Sequence, residues 1–104
     1  MKNDDFLQLR ISYIEIGKLL QKYGHGQYNA VLKILMSQVK CIDSDEDKDE
    51  KSQYLIESYK RLFISRGGLC DFIIYDENNE VTNQLNEKLN EEVKNVWRII
   101  KNYI

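Results

Sequence analysis

Apolar residues at Phe6, Leu9, Tyr13, Ile16, Leu20 and Tyr23 alternate steps of three and four, the spacing of one face of an α-helix. Leu7, Ile11 and Ile14 widen that stripe, Asn3 or Asp4 stands ready to cap its start, and Gly24 to end it. The pattern recurs three times. A second helix is expected from about Gly26, burying Tyr28, Val31, Leu32, Leu35, Val39 and Ile42, and a third presents Leu55, Tyr59, Leu62 and Phe63 and stops at Gly67. The last carries Val81, Leu85, Leu89, Val93, Val96, Ile100 and Tyr103 on one stripe, with acids early and bases late as the helix dipole prefers. No proline interrupts any of them.

Two stretches break the helical pattern. Between residues 43 and 50 the chain places six acids and one lysine, which leaves the rest of the molecule with a net charge of +3. Like charges at that density cannot be buried, so the run reads as a solvated loop leading into helix three, with Asp47 and Glu50 at capping-box spacing. The second break is Gly67-Gly68, followed by Leu69-Cys70-Asp71-Phe72-Ile73-Ile74-Tyr75. Paired glycines let the chain leave a helix at an angle, and the β-branched and aromatic residues that follow suit an extended segment laid across a core. Asp76-Glu77-Asn78-Asn79 then turns into helix four, with the asparagines as caps.

The fold class expected is all-α: one domain over residues 1–104, an antiparallel four-helix bundle with an extended crossing segment between helices three and four. The heptad-like spacing of helices one and four also fits a coiled-coil dimer seam. Their stripes are wide for such a seam, which favours packing within a monomer. Neither a signal-peptide pattern nor an apolar stretch of membrane-spanning length is present, so a cytoplasmic location is expected, with no membrane partner. Cys41 and Cys70 lie in no metal or redox spacing and read as reduced, packed residues.

Few residues invite chemistry. Asp43, Asp45 and Asp47 stand at the first, third and fifth positions of an EF-hand-like loop, but Lys48 occupies the glycine position and Tyr54 the place of the bidentate glutamate. His25, the single histidine, lies between two glycines in a tight turn, a poor place for the precision general-base catalysis demands. Positions 19–21 lack the arginine of a HEPN-type ribonuclease, and Glu87, Glu91 and Glu92 form a solvated flank without a second acidic helix. Bases do not gather on one helix face, so nucleic acid is not an expected partner. No enzyme activity, cofactor or metal is expected. Seven tyrosines and one tryptophan nonetheless exceed what so small a core must hide. Tyr13, Tyr23, Tyr28 and Tyr59 fall on core stripes, whereas Tyr54, Tyr75 and Trp97 flank them as interface candidates.

The succession of helix, Gly-His link, helix, helix, Gly67-Gly68 with a large apolar residue and the aromatic Phe72, then a last helix resembles a family of small bacterial all-helical proteins with a GGMGS-type motif. That family is uncharacterised and immunity-protein-like; this chain has Cys70-Asp71 where its members tend to have Gly-Ser. The resemblance implies a protein that neutralises a cognate toxin domain by direct one-to-one binding. The residues offer matching parts: Asp43, Asp45, Glu46, Asp47, Asp49 and Glu50 as a charged patch against a basic toxin, such as a nuclease domain, and Tyr54, Tyr75 and Trp97 as apolar anchors. The alternatives are a self-associating helical adaptor without catalytic activity and, for the acidic run, a purely solubilising loop.

Overall fold

A computed structural model describes residues 1–63, 68–69 and 72–104. Helix three ends at Leu62, where Phe63 (φ −117°, ψ 40°) leaves helical geometry, short of the expected stop at Gly67; Gly67 itself, the second cysteine Cys70 and Asp71 lie outside the described residues. Among the described residues, four helices are formed: α1 (Asn3–Tyr23), α2 (Asn29–Asp43), α3 (Lys48–Leu62) and α4 (Asn79–Ile100). Side-chain contacts fix their directions. Arg10 near the start of α1 meets Asp43 at the end of α2, and the Lys51 ammonium in the first turn of α3 donates to the Ile42 carbonyl at the end of α2. Lys88 of α4 pairs with Glu15 of α1, and Tyr103 beyond α4 donates to Asp5. The result is an up-down-up-down bundle in an envelope of 45 × 23 × 23 Å, with α1 against both α2 and α4, and α2 against α3. The stripes of α1 and α4 are thus spent on each other inside one chain.

Phe6, Leu9, Tyr13, Ile16 and Leu20 of α1 are buried with Val31, Leu35, Leu55, Leu62, Leu89, Val96 and Ile100 from the other helices. Each such side chain contributes about 1.5–3 kcal/mol by leaving water. The stripe on α1 is narrower than its sequence implies: Leu7 and Ile11 are 54% and 46% exposed. With α2 on one flank and α4 on the other, the arc carrying those two residues is the one left to solvent.

The helix termini follow local chemistry, and two of the starts depart from expectation. Lys2 occupies the cap position before α1, and its N–H donates to the Asp5 carboxylate at 3.0 Å, so neither Asn3 nor Asp4 serves as the cap. α2 starts three residues later than Gly26, because His25 (φ 51°) and Gly26 (φ 77°) are left-handed and cannot join a right-handed helix. Gly24 is ordinary in its dihedrals but has no room for a side chain, since a Cβ there would meet the Leu20 carbonyl oxygen at 2.4 Å. Asp47 caps α3 by accepting from the Asp49 N–H, and Asn78 caps α4 by accepting from Glu80 and Val81.

The crossing segment carries Leu69, Phe72 and Ile74 into the core while Ile73 and Tyr75 face out. Phe72 meets the Tyr28 ring edge-on at 5.1 Å. Two side chains of α4 hold the segment: the Ile74 N–H donates to Asn86 Oδ1 (3.0 Å) and Asn86 Nδ2 donates to the Ile74 carbonyl (2.9 Å). One turn earlier, Thr82 Oγ1 accepts from the Asp76 N–H and donates to the Asp76 carbonyl, both at 2.9 Å. These bonds answer the requirement that a fully buried peptide group such as that of Ile74 find partners.

Candidate partner-binding surfaces

The acidic run gathers at one end of the bundle, where α2 hands over to α3. Its six acids do not all remain available. Asp43 is the last residue of α2, and Arg10 grips it in a fork, Nε and Nη2 donating to its two oxygens at 2.8 and 3.2 Å. The Arg10 hydrogen bond holds the Asp43 carboxyl below the usual carboxylate range. Asp47 is engaged as the α3 cap. Asp45, Glu46, Asp49 and Glu50 are exposed and, among the described residues, their carboxylates make no ion pair or hydrogen bond. Four of the six predicted carboxylates are thus uncommitted, while Asp43 and Asp47 are exposed but engaged within the chain.

The three predicted aromatic anchors do not converge. Tyr54 lies on the second turn of α3, beside the acidic patch and 36% exposed. Trp97 sits on the seam between α3 and α4, 47% exposed, and stacks on Tyr59 at 6.2 Å with 25° between the rings. Tyr59 in turn packs against Phe63 at 4.9 Å. Tyr54 and Tyr59 are five residues apart, a rotation of about 140° around the helix, so Tyr54 occupies the other flank of α3 from the Trp97 stack. Tyr75 is 77% exposed and stands beside the α1–α2 link, at the end of the bundle away from the acids. The length of α1 separates the two ends by about 30 Å.

The described residues also form concave surfaces. A groove of about 370 Å³ runs between α1 and α2 over an apolar floor that includes Ile14, Leu32, Met36 and Val39, with Lys18 and Lys40 at its rim. It can seat an apolar side chain, but few polar groups converge on it to orient a reacting molecule. A smaller cleft of about 240 Å³ lies where Ile73 and Tyr75 face the α1–α2 link, lined by Tyr23, His25, Gln27 and Tyr28. His25 is placed there by its left-handed backbone, exposed to solvent.

Burial raises the thiol pKa of half-buried Cys41, reinforced by the negative charge of Glu46, so the thiol is protonated near neutral pH and is a weak nucleophile. Burial likewise raises the pKa of the Tyr13 phenol. Among the described residues, no three His, Cys, Asp or Glu side chains cluster as metal ligands. No helix among the described residues is long and apolar enough to cross a membrane.

Sequence reasoning missed the polar pins. Asn86 and Thr82 stand four apart beside the α4 stripe, directly after an extended apolar segment, and that pairing was the available signal. Gln38 occupies an apolar register position on α2, fully buried, with Nε2 donating to Ser58 Oγ at 2.9 Å. No family model, no curated protein and no solved structure matches this chain.

Proposed function

We propose that this chain is an immunity-type protein that acts in the cytoplasm by holding a cognate toxin domain in a one-to-one complex, with its acidic end as the recognition surface. The observation that carries this reading is the group of four uncommitted carboxylates, Asp45, Glu46, Asp49 and Glu50, on a loop and first helical turn braced from three sides. Arg10, the Lys51 bond to the Ile42 carbonyl and the amino-terminal ammonium on Ser52 Oγ all fix the backbone beneath them. A rigid anionic patch steers a basic partner and loses little entropy on binding. Tyr54 beside the patch is the aromatic anchor best placed to serve it. The resemblance drawn from Gly67-Gly68 and Phe72 points the same way.

The test mixes the purified chain with the protein domain encoded immediately upstream of its gene, carrying an inactivating mutation. A complex of one-to-one mass is expected. Its association rate should fall with added salt, and the triple variant D45N/D49N/E50Q should associate more slowly with a flatter salt dependence. Unchanged kinetics in that variant would remove the patch from the reading. Absence of a complex, together with a stable dimer burying Trp97, would replace it with the self-associating adaptor.

A further inference from the structure

In the crossing segment, the hydrogen bonds and the burial share a period of two. Phe72 and Ile74 are buried, while Ile73 and Tyr75 are 59% and 77% exposed. Ile74 and Asp76 each have N–H and C=O satisfied from α4, by Asn86 and Thr82 respectively. Successive residues of an extended chain send their backbone groups to opposite edges. The α4 side chains thus take the place of a neighbouring strand on one edge. The N–H and C=O groups of Ile73 and Tyr75 belong to the other edge, and none of the four has a hydrogen bond among the described residues. Such an edge is a template for a further strand.

We propose that residues 73–75 form a docking edge to which an extended, basic-ended segment of a partner protein adds as a β-strand. Charge selects the occupant. Asp76, Glu77 and Glu80 are exposed where the segment enters α4, so a strand ending in arginine or lysine is attracted there. A second copy of this chain would bring the same acids and no base between residues 72 and 78. Ile73 and Tyr75 pair well with β-branched or aromatic residues directly opposite. The cleft lined by Tyr23, His25 and Tyr28 lies alongside to receive one of the incoming side chains. This site is at the far end of the bundle from the acidic patch and does not depend on it.

The probe is a fluorescein-labelled peptide that alternates valine and threonine and ends in two arginines, read by fluorescence anisotropy and by amide exchange of the isotope-labelled protein. Two further peptides carry N-methyl groups on one or the other alternate set of amides. One methylated set should lose binding and the other keep it, because a strand presents alternate amides to its neighbour. Exchange at the Ile73 and Tyr75 amides should slow on addition of peptide. Replacing both arginines by glutamate should weaken binding roughly tenfold or more at low salt. Tyr75→Pro, which deletes an edge N–H, should abolish binding in a protein shown to be folded by its thermal melt, while Tyr75→Phe should retain it. Equal binding by the two methylated peptides, no protection of Ile73 and Tyr75, or no binding of the arginine peptide at about 1 mM would overturn the proposal. So would protection that rises with protein concentration alone, which would give the edge to a second copy.

Discussion

Asn86→Ala offers the sharpest test of how the crossing segment is held. The side chain accepts from the Ile74 N–H and donates to the Ile74 and Thr82 carbonyls at 2.9–3.0 Å. Ile74 itself is fully buried. Truncation therefore leaves the backbone of one residue with an unanswered donor and acceptor, each costing about 1–3 kcal/mol if water stays out. Asn86 is half-buried, so water will recover part of that, and alanine regains about 0.6 kcal/mol of helix propensity. The net loss should be about 2 kcal/mol, a substantial fraction of the roughly 5–10 kcal/mol expected for a domain of this size. Urea unfolding followed by circular dichroism will show it as a lower midpoint at unchanged slope. Asn90→Ala, on an exposed position one turn along α4, should be neutral or slightly stabilising and serves as the control. Asn86→Asp should also destabilise, since a carboxylate cannot donate to the Ile74 carbonyl. If Asn86→Ala were as stable as Asn90→Ala, the side chain would not be what fixes the segment.

Four further outcomes are expected. Gly24→Ala should destabilise by about 1–3 kcal/mol, because its new methyl would press on the Leu20 carbonyl oxygen at 2.4 Å; Gly26→Asn, at a left-handed position in open space, should cost far less in the same melts. The double variant Q38L/S58A should be no less stable than the wild type by urea titration, since it removes a buried polar pair whose Gln38 Oε1 has no partner, whereas Ser58→Ala alone should destabilise by leaving the Gln38 amide unanswered. The carboxyl pKa values of Asp5, Glu15 and Asp43 are lowered by bonds from Tyr103, Lys88 and Arg10. Their stabilisation is therefore present above the ordinary carboxylate range near pH ~4 and lost as pH falls through the lowered folded values; melts across the acid range should show this, with a shallower decline in Glu15→Gln. Trp97→Ala should remove the stacking on Tyr59 and move the tryptophan-free melt only modestly, by about 1 kcal/mol, because the ring is half exposed.

Periodicity made the helices legible. Steps of three and four in Phe6, Leu9, Tyr13, Ile16 and Leu20 are a local property of an α-helix, and the asparagine and aspartate caps at Asn78 and Asp47 act within three residues of themselves. That the segment would be extended and lie on the core was legible from its β-branched and aromatic residues, but not which of them are buried, since Phe72, Ile73, Ile74 and Tyr75 are all apolar. The candidate site was readable as a composition and much less as a surface. Six acids in eight residues announce a charged patch, yet whether Asp43 is free depends on Arg10, thirty-three positions away.

The sequence by itself determined which residues seek water and which avoid it, where α3 and α4 are capped at their starts, and that a bundle would result, because those preferences act over one or two turns. Tertiary structure alone decided that Leu7 and Ile11 face solvent, that Asn86 and Thr82 stand in for a strand, and that Tyr54, Tyr75 and Trp97 belong to three separate surfaces. Those outcomes depend on which helix lies beside which, and only the packing of all four elements sets that.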